Sequence, residues 1–91
     1  MSSANTWNGV TPEIFACVKA GSARDHGTQY EPPGADKGTA TTQVRAVGTI
    51  VLGFELDPGG ALTDTIQKKP LLVPESQIWK RIDSAISACR K

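Results

Sequence analysis

Ninety-one residues make one small domain at most, since domains run about 100–200 residues. The chain is 38% hydrophobic and 21% charged with a net charge of +1, which excludes a highly charged disordered segment and a general nucleic-acid binder with its basic patch. No apolar run approaches the roughly 18 residues of a membrane span, and Leu, Ile, Val and Phe together number 19, a thin core that gains from a staple.

Residues 1–10 are small and polar and are expected to be a flexible N-terminal segment, with a turn at Asn8-Gly9. No charged stretch followed by an apolar run opens the chain, so no signal peptide is expected within it. Trp7 is the exception in this segment. A large ring near a loose end docks on something, either an edge of the core or a partner. Thr11 then suits a helix N-cap, Pro12 its first turn and Glu13 its dipole. Ile14, Phe15, Cys17 and Val18 share a face, and Gly21 is a plausible stop, so a helix is expected over 11–20.

Residues 21–43 hold Gly21, Gly27, Pro32, Pro33, Gly34 and Gly38. They are expected to form a mobile loop region with a short strand around Tyr30, ended by the proline pair. From Val44 to Leu56 one parity reads Val44, Ala46, Gly48, Ile50, Leu52, Phe54, Leu56, the mark of a half-buried strand. Thirteen residues exceed the usual five or six. Either a bulge or bend falls at Gly48 or Gly53, or two strands meet here. Asp57-Pro58-Gly59-Gly60 is a tight turn. Residues 61–68 alternate again, with Leu62 and Ile66 on one side and Thr63, Thr65 and Gln67 on the other, which predicts a hairpin. Asp64 falls on the apolar parity, which an edge strand tolerates. Pro74 and Glu75 open a second helix, whose stripe runs Ile78, Trp79, Ile82, Ala85, Ile86, Cys89. Arg90 and Lys91 carry the charge its C-terminus prefers.

The pattern predicts an α+β fold. A small antiparallel sheet of about three strands carries two helices on one face, in the order α-β-β-β-α, as a two-layer sandwich. Residues 11–91 form its single domain.

Cys17 and Cys89 each fall on the apolar face of a helix. Helices covering the same sheet face would let them meet in a disulfide, which implies an oxidising compartment. Two buried free thiols acting as small apolar residues are the alternative. Catalytic signals are sparse. His26 follows Asp25, and with Cys17 it makes a thiol site formally possible, but neighbours in sequence do not orient one another, and an exposed loop histidine is the default. No C-x-x-C, H-x-x-x-H or calcium-type spacing is present, so neither metal nor cofactor is expected. The Pro58-Gly59-Gly60 turn lacks the lysine and following helix of a phosphate loop. Glu31, Glu55, Asp57 and Asp64 suggest a solvated face more than paired acids, and Lys68-Lys69 a guard at a sheet edge.

The stretch Gly48-Thr49-Ile50-Val51-Leu52-Gly53-Phe54-Glu55-Leu56-Asp57-Pro58-Gly59-Gly60-Ala61-Leu62-Thr63-Asp64-Thr65-Ile66, followed by Ile82-Asp83-Ser84-Ala85-Ile86, resembles the C-terminal domains of the TonB and TolA family of periplasmic proteins. The resemblance covers residues 48–89. It departs where Lys68-Lys69-Pro70 replaces the family's Ser-Ser-Gly, and both cysteines fall in helices rather than in a strand and a helix. The resemblance implies protein binding by strand addition to a sheet edge, in the periplasm and without catalysis.

The leading expectation is therefore a non-enzymatic, monomeric, secreted or periplasmic domain that binds another protein. Its contact surface would be an exposed edge at 61–68, with Thr63 and Thr65, and Trp7 as a further partner-binding residue. A secreted effector, inhibitor or surface antigen is the second reading. An enzyme using Cys17 with His26 is the third.

Overall fold

The computed structural model describes residues 3–90. The elements are β1 (Ser3–Trp7), α1 (Pro12–His26), β2 (Gln29–Glu31), β3 (Lys37–Val44), β4 (Gly48–Leu56), β5 (Leu62–Lys68) and α2 (Glu75–Cys89). The chain is α+β, as its patterning predicts. The sheet has five strands rather than about three, ordered β1-β5-β4-β3-β2, and every neighbouring pair is antiparallel. The element order is thus β-α-β-β-β-β-α, not α-β-β-β-α.

The added strands come from segments with little apolar signal. Ser3–Trp7 was expected to be loose, yet it pairs along its length with β5. The Thr6 and Thr63 hydroxyls lie 2.9 Å apart across that ladder. Within the expected loop region at 21–43 the short strand around Tyr30 is present as β2, and the region also holds the end of α1 and most of β3, which were not expected. Strand β3 is rich in threonine, whose branched side chain suits a pleated surface, and only its Ala40 is buried. Gly38 is needed here, because a Cβ would collide with the Glu31 carbonyl. The long run at 44–56 is two strands meeting: β3 ends at Val44, residues 45–47 turn, and β4 begins at Gly48.

Helix α1 passes through Gly21 and ends at Gly27, whose φ of 66° closes it in the left-handed conformation. The Thr11 hydroxyl caps its start by accepting from the Ile14 N–H at 3.1 Å. Arg90 caps α2, and its guanidinium donates to the Asn8 carbonyl, joining the last helix to the β1–α1 link. Lys91, expected to add charge there, lies outside the described residues, as do Met1 and Ser2.

Phe15 and Val18 of α1 and Ile86 of α2 meet Ala40, Phe54, Leu56 and Leu62 of one sheet face in a single cluster. Val10, Leu62 and Ile86 are fully buried, at 0, 1 and 1% exposure. Each such apolar side chain contributes roughly 1.5–3 kcal/mol. The other sheet face is polar. It carries a Lys37–Glu55 ion pair at 3.8 Å and a hydrogen bond from Thr49 to Gln43 at 2.8 Å.

Candidate ligand-binding cavity

The Cys17–Cys89 disulfide ties the middle of α1 to the end of α2, with Cα atoms 5.9 Å apart. Between the helices and the sheet lies a cavity of about 290 Å³. Helix α1 lines it with Phe15 and Val18, α2 with Ile78, Ile82 and Ala85, and the sheet with Leu52 and Phe54. Three aromatic rings meet edge to face at its wall, Phe15 to Phe54 at 5.4 Å and Tyr30 to Phe54 at 5.7 Å. His26, Gln77 and Arg81 also line it and are themselves solvent-exposed, so they form its rim.

One carboxyl lies in this apolar space. Leu62, Asp64 and Ile66 alternate on the buried side of β5, and Asp64 is only 7% exposed. It stands opposite Phe54 on β4 and Asn5 on β1. The Asn5 amide oxygen accepts from the Thr6 N–H, and its amide nitrogen makes no hydrogen bond to Asp64 Oδ1. Among the described residues Asp64 Oδ1 has no hydrogen-bond partner. Removal from water disfavours the charged form, and burial pushes the Asp64 carboxyl up to about 7. Burial also raises the Tyr30 phenol, and the Asp64 charge adds to that. The other buried polar residue, Thr28, is satisfied, since its hydroxyl lies 2.7 Å from that of Thr42. The cavity therefore offers one acid, near the midpoint of its titration at neutral pH, with a free oxygen in apolar surroundings.

The residues singled out from sequence fall elsewhere. Cys17 and Cys89 are joined, so the thiol reading with His26 has no thiol. His26 ends α1 at the cavity rim, and Asp25 instead binds Arg24 at 2.9 Å, whose guanidinium holds the Asp25 carboxyl below its usual range. Residues 61–68 are not an edge, because β5 lies between β1 and β4; the free edges are β1 and β2. Thr63 and Thr65 face away from the cavity, on the parity opposite Asp64. Trp7 is half-buried against Trp79, with ring centroids 5.8 Å apart. Of the other acids, Glu55 pairs with Lys37, and Asp57 closes its turn by accepting from the Ala61 N–H at 2.9 Å. Among the described residues no three His, Cys, Asp or Glu side chains cluster as metal ligands, and no helix is long and apolar enough to cross a membrane. Asp64 did carry a sequence signal, a charge on an apolar parity. The edge assignment explained that signal away.

Comparison with protein-family models, curated proteins and solved structures gives no match.

Proposed function

We propose that this chain is a non-catalytic domain that binds a small, largely apolar molecule in the cavity between its helices and its sheet, in a secreted or periplasmic setting. The cavity with its single unpaired carboxyl carries this reading. Protein interiors leave few voids larger than a water molecule, whereas ligand sites are concave and apolar with a few placed polar groups. At about 290 Å³ the space is roughly twice the ~150 Å³ that holds benzene, which suits about twelve non-hydrogen atoms. Acid–base catalysis would need a second group within reach of the reacting atom. Thr28 and Thr42 are engaged with each other, His26 and Arg81 are exposed at the rim, and burial holds the Tyr30 phenol in its protonated form, so it is no base. The disulfide supports an oxidising compartment.

Titration with butylbenzene, a neutral probe of suitable size, followed by methyl and amide NMR, tests this. Saturable shifts at Val18, Leu52 and Ile82, lost when Ile82→Trp fills the cavity, are expected. Shifts scattered over the surface, or none, overturn the reading.

A further inference from the structure

We infer that the ligand of this cavity is a small organic amine, whose ammonium pairs with Asp64 while its carbon skeleton lies against the aromatic wall. The inference rests on the small-molecule reading above and adds the chemical class.

Three observations converge on a cation. Asp64 is a carboxyl, so when ionised it can only accept hydrogen bonds, and its Oδ1 has no partner. A buried charge persists only when it is paired, and no cationic side chain bonds Asp64 among the described residues. A ligand ammonium supplies both the charge and the donors. Phe15, Tyr30 and Phe54 line the same cavity, and an aromatic face attracts a cation within about 6 Å of its centroid; Phe15 already has the Lys19 ammonium over it at 4.5 Å, which leaves Tyr30 and Phe54. One acid beside these two rings therefore favours a cation over a neutral donor. An anionic ligand is disfavoured inside, since it would face Asp64 itself.

The other titratable groups lining the cavity are His26 on α1, Tyr30 on β2 and Arg81 on α2. The lining residues of β3 and β4 are Ala40, Thr42, Val44, Ile50, Leu52 and Phe54, none of which titrates. From β1, the residue opposite Asp64 is the uncharged Asn5. Rim Arg81 and His26 are exposed and screened by solvent, so their repulsion of an entering ammonium is weak beside direct contact with a buried carboxylate. Because burial raises the Asp64 carboxyl to about 7, bound amine must drive it to the ionised form. Amine affinity should therefore rise as pH increases from 5 to 8.

A matched probe set separates the outcomes: butylbenzene, 4-phenylbutan-1-ol, 4-phenylbutylamine and 4-phenylbutyrate, titrated by NMR and calorimetry at pH 7. The expected result is that the amine binds roughly ten- to a hundredfold tighter than the alcohol, the range set by a charged hydrogen bond. Asp64→Asn and Asp64→Ala should both abolish that preference while still binding butylbenzene, which reports an intact fold and cavity. An amine no tighter than the alcohol, a preference that survives both substitutions, or a butyrate that binds best would overturn the amine assignment and leave the cavity reading standing. Failure of butylbenzene to bind wild-type protein would remove the cavity reading itself.

Discussion

The two ends of the helix–sheet interface are packed differently. One end is closed. There Val10 and Ile86 are almost wholly buried, the Gly60 carbonyl accepts from the Val10 N–H at 2.8 Å, and the disulfide locks α1 to α2. The other end is open. There Val44, Ile50 and Val73 are only half-buried around the cavity, and Leu71 and Leu72 beside them project into solvent. Both ends offer an apolar surface. What differs is whether a second layer is held against it, and the covalent tie is at the closed end only.

Breaking that tie should have the largest effect. The bridge spans 72 residues of sequence, and loop closure over that length is worth about 4 kcal/mol. This is a large share of the 5–15 kcal/mol that stabilises a typical domain. The double substitution Cys17→Ser with Cys89→Ser should lower the urea midpoint accordingly. A loss under about 1 kcal/mol would mean that packing alone closes that end.

The next effect is the pH dependence arising from Asp64 in the cavity. Its folded carboxyl titrates at about 7 and its unfolded one at about 3.9. Below about pH 4 both states hold the proton. Between about 4 and 7 the native state keeps a proton that the unfolded state releases, so stability falls as pH rises, and above 7 the loss is complete. The total is on the order of 4 kcal/mol. Asp64→Asn should flatten this slope in denaturation curves taken from pH 4 to 8, relative to wild type, whose other cavity groups are unchanged in the variant. Equal slopes would show that the carboxyl is not buried without a partner.

Large-to-small substitutions compare the two ends directly. Ile86→Ala at the closed end should cost about 3 kcal/mol, within the usual range for deleting a packed side chain. Ile50→Ala on the cavity wall should cost about 1 kcal/mol, because one side of that residue already lacks packing partners. Thermal or urea unfolding measures both. Equal costs would mean that the open end is packed like the core and offers no room for a ligand.

The same contrast explains what could be read from the sequence. Helix α2, the alternating residues of β4 and β5, the turn at Asp57 and the cysteine pair were all legible, because each is written in local periodicity or turn chemistry. Strand β1 and most of β3 were not, because SANTW and KGTATTQV bury little and owe their form to ladders with distant neighbours, whereas the short strand at Tyr30, β2, was marked by the proline pair that ends it. Missing β1 turned β5 from an interior strand into an edge, and that error carried over to the site. On an edge, Asp64 is a charge reaching water. Between β1 and β4 it is a carboxyl under two helices. A cavity also leaves no mark on hydrophobic patterning, since the residues lining it and the residues filling a core are the same kinds.

The smallest predicted effects come from two glycines of α1, and they have opposite signs. Gly21 is helical, and a Cβ there would meet nothing closer than the Arg24 guanidinium at 3.8 Å. Gly21→Ala should therefore stabilise by about 0.5–1 kcal/mol through lower unfolded-chain entropy and better helix propensity. Gly27 has open space around it, but its φ is +66°. A side chain there is strained whatever the room, so Gly27→Ala should cost about 1 kcal/mol. The helix boundary decides both signs. A helix that stopped at residue 20 would make Gly21 the left-handed cap and Gly27 an ordinary loop position, and the two effects measured by thermal unfolding would exchange. Opposite signs in the order given place six further residues in the helix and carry its last turn, with His26, to the rim of the cavity.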